Sequence, residues 1–132
     1  MKSTEKTTKS VGDLGEAAAA CFLRKRLYRI VERNYTAGKY EIDIIAESLR
    51  HIVFVEVKAR TQQPQTIGRY GLPSTAVNHR KRAFLIEAAR QYLAFHPSRK
   101  QPRFDVIEIY LSPEKCPKIL KIAHMKDAFL AY

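Results

Sequence analysis

The chain has 132 residues, 45% of them hydrophobic, which suits one compact domain with its own core and leaves no room for a second. No stretch approaches the roughly 20 apolar residues of a membrane helix, and the polar, basic start lacks the apolar segment of a signal peptide. We therefore expect a cytoplasmic protein without membrane contact. Cys21 and Cys116 lie far apart without zinc-ligand spacing, so we interpret both as reduced thiols.

The positive charge is concentrated in the middle of the chain. The formal net charge is +11, to which residues 1–58 contribute +3, residues 59–104 contribute +8 and residues 105–132 contribute 0. Most of the carboxylates, in contrast, precede residue 58. A basic surface beside a group of acids suits a polyanion that is held while it reacts, so nucleic acid is the expected partner. The alternative is a basic surface that only aids solubility.

The first half of the chain predicts a helix followed by three strands. Apolar residues recur at helical spacing from about 11 to 27. Residues 28–36 alternate as a strand, and after a turn at 37–39 residues 41–46 resume with β-branched side chains, which indicates a hairpin. The run 52–58 is mostly apolar on both faces, as in a central buried strand.

The second half begins with a predicted loop and a helix. Residues 59–75 lack periodicity and are punctuated by proline and glycine, which indicates a long loop. Asn78 can cap a second helix, which His96-Pro97 would end. The buried stripe of this helix is expected to comprise Leu85, Ala88, Ala89, Tyr92 and Leu93.

The remaining residues are expected to complete a sheet. Residues 104–111 alternate as a strand, residues 119–123 indicate another, and residues 125–130 indicate a short closing helix. The order of helix, three strands, helix and further strands predicts an α/β fold with a mixed β-sheet flanked by α-helices.

Glu56 is the anomaly in this pattern, because burying an ionised acid in an apolar strand costs several kcal/mol unless a partner compensates. Strand alternation places Lys58 on the same face as Glu56. The short turn between the two strands brings Asp43 alongside Glu56. Two such acids repel each other when no cation is bound, so the pair predicts a site for Mg²⁺ or Mn²⁺.

A structural explanation exists for the same residues, since Glu56 and Lys58 could form an ion pair where a strand leaves the core. For an isolated E-x-K sequence this explanation would be preferred. The combination favours a site: an acid in one strand, E-x-K in the next, and Glu16 on the preceding helix. Glu16 also has an alternative role, because an acid near a helix start stabilises the helix dipole.

Several short motifs, in order, resemble the bacterial YraN family from about residue 11 to the C-terminus. They are Gly15-Glu16, Arg33-Asn34-Tyr35, Glu41-Ile42-Asp43, the run from Val53 to Lys58 followed by Arg60, and Arg103-Phe104-Asp105-Val106. The resemblance implies a restriction-endonuclease-like fold of the PD-(D/E)xK class, similar in its core to archaeal Holliday junction resolvases. Residues 1–10 lie outside it and are expected to be a disordered tail before a single domain of residues 11–132.

The resemblance also implies roles for individual residues. Asp43 and Glu56 would be the two acids of the motif, Lys58 its lysine, and Glu16 the helix acid of resolvase-like proteins. The metal would be held by Asp43, Glu56, the backbone carbonyl of Val57, and Glu16. This sequence departs from the family at two positions. Tyr40 stands where members commonly have Gly, and Ala59 where they commonly have Thr or a similar residue.

The implied activity is metal-dependent hydrolysis of phosphodiester bonds, with structured or branched DNA as the substrate. Arg60, Arg80, Lys81 and Arg82 are candidates for phosphate contacts, although a charged helix face is often only solvated. Lys81 shares a helical face with Leu85 and is expected to point towards the sheet. The alternatives are a nucleic-acid-binding module that keeps the fold without cleaving, and an adaptor for an acidic protein. A homodimer is left open.

Overall fold

The computed structural model describes residues 3–61 and 78–129, which form a five-stranded mixed sheet between two helices. This is the predicted α/β architecture, and it is consistent with a restriction-endonuclease-like domain. The strands lie in chain order, and β3 and β4 are parallel while all other neighbours are antiparallel. The elements are α1 (Ser3–Lys25), β1 (Arg29–Ala37), β2 (Tyr40–Glu47), β3 (His51–Thr61), α2 (His79–Phe95), β4 (Gln101–Leu111) and β5 (Ile119–Phe129).

The two helices cover opposite faces of the sheet. Leu23 of α1 packs in a cluster with Val53 and Val55 of β3, whereas Phe54 of the same strand packs in a second cluster with Leu85 of α2. Alternate side chains of β3 therefore enter different cores, as strand geometry requires. The apolar composition that predicted a buried central strand follows from this position.

Gly15 sets how closely α1 approaches β3. A Cβ atom at position 15 would lie 2.6 Å from the Cβ of Ala59, which is closer than two carbon atoms can pack. Only a glycine allows this approach without displacing the helix or the strand. The contact brings the following residue, Glu16, to the end of the sheet where β3 finishes.

Two of the predicted elements were too short, one at its start and the other at its end. Helix α1 begins at Ser3 rather than near residue 11, so it overlaps the residues expected to form a disordered tail. β3 continues to Thr61, which is past the predicted loop start at residue 59. The rest of that loop, residues 62–75, lies outside the described residues. Asn78 caps α2 as predicted, because its Oδ1 accepts a hydrogen bond from Lys81 N at 2.9 Å.

The predicted closing helix at residues 125–130 is wrong, because residues 119–129 form one strand. This strand, β5, pairs along β4 from Leu111 to Phe104, and Asp105 Oδ1 accepts a hydrogen bond from Asp127 N at 2.9 Å. A register shift between Phe104 and Val106 interrupts the alternation there. The irregularity hides the period of two on which a strand prediction depends.

No helix in the described ranges has the length and hydrophobicity that crossing a membrane requires.

We predict that Gly15→Ala lowers the free energy of unfolding by about 1–3 kcal/mol, because the added methyl group overpacks the contact with Ala59. Ala59→Gly in the same chain should restore part of the loss, since it removes the opposing methyl group. Urea unfolding of the wild type, both single variants and the double variant measures the coupling. Gly12→Ala is the control, because a Cβ at Gly12 meets no atom within 4 Å. If the two substitutions change the free energy of unfolding additively, the result contradicts a contact between residues 15 and 59.

Candidate active site

Asp43 and Glu56 lie side by side where β2 and β3 separate. The antiparallel ladder ends at the pair Ile44 and Val55, so the next position along each strand is occupied by one of the two acids. Beyond this point Val57 N donates a hydrogen bond to Asp43 Oδ2 at 2.8 Å. The carboxylate of Asp43 thus binds the β3 backbone directly beside Glu56.

The alternation of β2 changes at Asp43. Ile42 and Ile44 would share a face in a regular strand, but Ile42 packs in the core cluster on the α2 side and Ile44 in the cluster on the α1 side. The departure from regular geometry occurs at the residue between them. It accompanies the end of the ladder and the hydrogen bond from the Asp43 side chain to β3.

Glu56 is only 6% exposed, and its surroundings strongly favour the protonated form. Burial raises the pKa of Glu56, and a hydrogen bond to Asp43 and the negative charge of Asp43 raise it further, to about 8. The charges of Lys81 and Lys58 oppose this rise. A pKa of about 8 means that, without a metal ion, Glu56 keeps its proton near neutral pH, in its hydrogen bond to Asp43. A divalent cation could replace that proton, which is the electrostatic requirement for a carboxylate metal site.

Lys81 and Lys58 provide the positive charge nearest to Glu56. Lys81 Nζ lies 3.4 Å from Glu56 Oε2, so the side chain points to the sheet as its helical position predicted. The N-cap residue Asn78 fixes this geometry, because it sets the start of α2 three residues before Lys81. Lys58 follows Glu56 by two residues on the same strand and is half-buried.

Glu16 adjoins the acid pair without completing it. Its Oε1 is buried and has no hydrogen-bond partner within the described residues. Burial raises the pKa of Glu16, the charge of Asp43 raises it further, and Arg33 opposes the rise. Among residues 3–61 and 78–129, no three His, Cys, Asp or Glu side chains are close enough together to hold a metal ion. A buried oxygen without a donor fits a cation nearby, but Glu16 would have to move to coordinate it.

The other predicted phosphate contacts are spread around the site. Arg60 Nη2 lies 3.5 Å from Glu108 Oε1 on the neighbouring strand. The Arg80 guanidinium is exposed and lies 5.6 Å from the ring centre of Phe84. Arg82 lies 5.5 Å from the ring centre of Phe129. Lys81, in contrast, contacts Glu56 directly.

Tyr40, which replaces the glycine common in the resembled family, packs against α2. Its ring centre lies 5.2 Å from that of Phe84. Ala59, the second departure, forms the close contact with Gly15. Both replacements therefore belong to the packing of the helices on the sheet.

Comparison with known proteins gives the family. A model described as "Uncharacterised protein family UPF0102" matches residues 15–109. The UPF0102 protein TTE1452 of Caldanaerobacter subterraneus subsp. tengcongensis is 43% identical over 130 residues, which are 98% of this chain and 100% of the relative. A UPF0102 protein of Geotalea uraniireducens is 41% identical over 135 residues and covers 100% of both chains. The chain belongs to UPF0102.

UPF0102 is the YraN family that the sequence motifs resemble, so the predicted membership is confirmed. The matched residues 15–109 begin at Gly15 and include Glu16, Asp43, Glu56 and Lys58. They also include both strands that carry the acid pair and all of α2. The printed family description assigns no activity.

This UPF0102 protein has a second buried acid near the site that the sequence analysis missed. Glu108 of β4 is 2% exposed and lies opposite Lys58 in the parallel pairing of β3 and β4. It accepts a hydrogen bond from the Tyr110 hydroxyl and pairs with Arg60. Burial raises the pKa of Tyr110, and Glu108 raises it further, to about 12, so Tyr110 stays protonated and donates. An acid in an apolar strand was the signal that identified Glu56, and Glu108 shows the same signal.

Asp105 forms a separate polar centre with a structural role. It accepts hydrogen bonds from Arg103 Nε at 2.9 Å, Arg103 Nη2 at 2.8 Å and His124 Nε2 at 2.7 Å. Burial alone would raise the pKa of Asp105, but the hydrogen bonds from His124 and Arg103 outweigh it and lower the pKa. Arg103 also donates to the Tyr28 hydroxyl at 2.7 Å. The network joins the end of α1 to β4 and β5.

We predict that Glu56 makes the metal-free protein less stable as pH rises. The folded state keeps the Glu56 proton up to a pKa of about 8, whereas the unfolded chain loses it near 4.5, so the free energy of unfolding falls between these values. Glu56→Gln removes this titration and should be more stable than wild type at pH 9 by at least about 1 kcal/mol, since one pKa unit is worth about 1.4 kcal/mol.

Urea unfolding at pH 5 and pH 9 in the presence of a chelator measures this difference. Glu87→Gln is the control, because Glu87 is an accessible acid on α2 whose ion pair within the described residues is with Arg90. If Glu56→Gln follows the same pH dependence as wild type, Glu56 does not hold a proton in the folded state.

Proposed function

We propose that this UPF0102 protein is a metal-dependent endonuclease that hydrolyses phosphodiester bonds in structured or branched DNA. The observation that carries the proposal is the acid pair of half-buried Asp43 and buried Glu56, with Lys58 and Lys81 beside it. Such a pair is costly for folding, and it is better explained if it serves chemistry. The proposed location is the cytoplasm, where the two exposed cysteines would remain reduced.

Asp43 and Glu56, with the Val57 carbonyl, would hold Mg²⁺ or Mn²⁺, and Glu16 would complete the shell. When bound, such a cation supplies Lewis-acid chemistry: it polarises a phosphate oxygen and lowers the pKa of a water. Asp43 is already oriented by its hydrogen bond from Val57 N. Glu56 would hold the cation in its ionised form, because a divalent charge would compensate the carboxylate as the proton does in the metal-free site.

The lysines would act on the phosphate. Lys58 lies on the same strand face as Glu56, so its amine can stabilise the negative charge that develops on the phosphoryl oxygens. Lys81, whose Nζ lies 3.4 Å from Glu56 Oε2, would contact a neighbouring phosphate. Arg60 and Arg80 would extend these contacts along the backbone of the nucleic acid.

A second function is favoured by one specific observation. Lys81 at 3.4 Å and the proton shared with Asp43 already compensate the charge of Glu56 without a metal ion. A site that is neutral in this way would also suit a nucleic-acid-binding module or an adaptor that keeps the fold and does not cleave. Cleavage and metal binding distinguish these functions from the endonuclease.

We predict that the purified protein cuts DNA in Mg²⁺ or Mn²⁺, and that Glu56→Ala abolishes the cutting because a metal ligand is lost. Lys58→Ala should retain metal binding and lower the rate by roughly 10²–10³, as expected for one charge-stabilising group. The measurement is cleavage of single-stranded, duplex, flap and four-way DNA. Glu87→Ala is the control acid and should cut like wild type. An inactive wild type would favour the binding module, and equal cutting by Glu56→Ala would reveal a contaminating nuclease.

We also predict that millimolar Mn²⁺ raises the melting temperature of wild type by a few degrees, because a ligand that binds only the folded state stabilises it by mass action. Asp43→Asn should remove the effect, since it takes away a charged ligand beside Glu56. Glu114→Gln, a change at an exposed acid between β4 and β5, should keep it. Identical melting curves for wild type and Asp43→Asn with and without Mn²⁺ would count against a metal site.

A further inference from the structure

A basic cleft lies at the end of the sheet opposite the acid pair. It has a volume of about 690 Å³ and is enclosed by the last turn of α1, the turn between β2 and β3, and β5. His51, at its edge, precedes Glu56 by five residues, which places the cleft about 16 Å along β3 from the acid. The cleft adjoins the end of α1, whereas Glu56 contacts α2 on the other face.

The cleft is lined by four cations and, within the described residues, by no acid. The four are Lys25, Arg26, Arg50 and Lys126. Arg26 lies 3.6 Å above the ring of Phe22, and the other three make no ion pair with any described residue.

Of the three cleft cations without an ion pair, local structure accounts only for Lys25. Lys25 lies in the last turn of α1, where a positive charge stabilises the helix dipole. Arg50 lies in a turn and Lys126 in a strand, so neither has this role. Uncompensated cations from three elements repel one another across a concave surface, and a polyanion in the cleft would remove that repulsion.

Two leucines at the cleft add apolar surface. Leu27 is 89% exposed and has a φ of 69°. This backbone conformation is unfavourable for any residue with a Cβ atom and is usually occupied by glycine. Leu49 is 95% exposed. A nucleic-acid backbone offers phosphates to the cations and sugar or base faces to the leucines.

We infer that the basic cleft binds the phosphate backbone of a nucleic-acid segment different from the one that contacts the acid pair. The cleft lies where β3 begins and the acid pair about 16 Å further along the strand, beside a different helix, so the two sites contact separate stretches of backbone. The inference rests on the proposed function for the choice of nucleic acid as the polyanion. It does not require that the acid pair cleaves.

The test compares Arg50→Ala/Lys126→Ala with a control that removes the same charge, Arg90→Ala/Arg99→Ala. All four side chains are exposed, and neither control residue lines the cleft. Binding of a fluorescent 25-base-pair duplex is measured by anisotropy across a salt series, in EDTA so that no cleavage occurs. Melting curves verify that both variants fold.

The affinity of the cleft variant should depend less steeply on salt. The magnitude of the negative slope of log K against log salt should fall by roughly 1.8, because each lost phosphate contact contributes about 0.9. The control should keep the wild-type slope. Equal slopes for the two variants would overturn the inference. Binding of wild type to anionic phosphatidylglycerol vesicles but not to duplex, abolished in the cleft variant, would also overturn it and assign the cleft to a lipid surface.

The outcome of this binding test can be distinguished from the outcome of the cleavage test of the proposed function. If wild type cuts DNA and the cleft variant binds with the control's slope, the endonuclease stands and the cleft inference fails. If the cleft variant shows the lower slope and wild type cuts no substrate, the cleft stands and the endonuclease fails. Wild type that binds neither duplex nor branched DNA at low salt overturns both.

Discussion

β3 is covered on both faces, and it carries the carboxyl group of Glu56 where only 6% of the residue is exposed. An ionised carboxylate in such a place needs positive charge or hydrogen-bond donors around it. Lys81 of α2, Lys58 of β3 and the proton shared with Asp43 of β2 supply them. The cost of burying one carboxyl group therefore links three elements of the fold, and the same neighbours would serve a phosphate and a metal ion.

Most elements could be predicted because their signals are local. The hairpin follows from alternation on either side of the turn at 37–39, and α2 follows from its cap at Asn78 and a stripe at helical spacing. The start of α1 was missed because residues 1–10 are polar and carry no such stripe. β5 was divided into a strand and a helix because its pairing with β4 is irregular near Asp105, and pairing is not visible in one sequence.

The parts of the candidate site that follow from regular strand and helix periodicity could be predicted. Alternation and a short turn suffice to bring Asp43 alongside Glu56, and a shared helical face suffices to point Lys81 at the sheet. The hydrogen bond from Val57 N to Asp43 was not predictable, because it depends on a departure from regular strand geometry. The position of Glu108 opposite Lys58 required the parallel pairing of β3 and β4, which two segments separated by a helix do not reveal.

Asp105 makes the last strand indispensable. Two of its four hydrogen bonds come from β5, through the ring of His124 and the backbone N–H of Asp127. A chain cut before His124 would keep this buried carboxylate and its two hydrogen bonds from Arg103 but lose the two donors of β5, and a buried charge that loses partners destabilises the fold. Proteolysis in β5 would therefore not trim the domain to a shorter stable core. It would release a chain prone to complete degradation, so an intact C-terminal strand is a condition for the protein to persist.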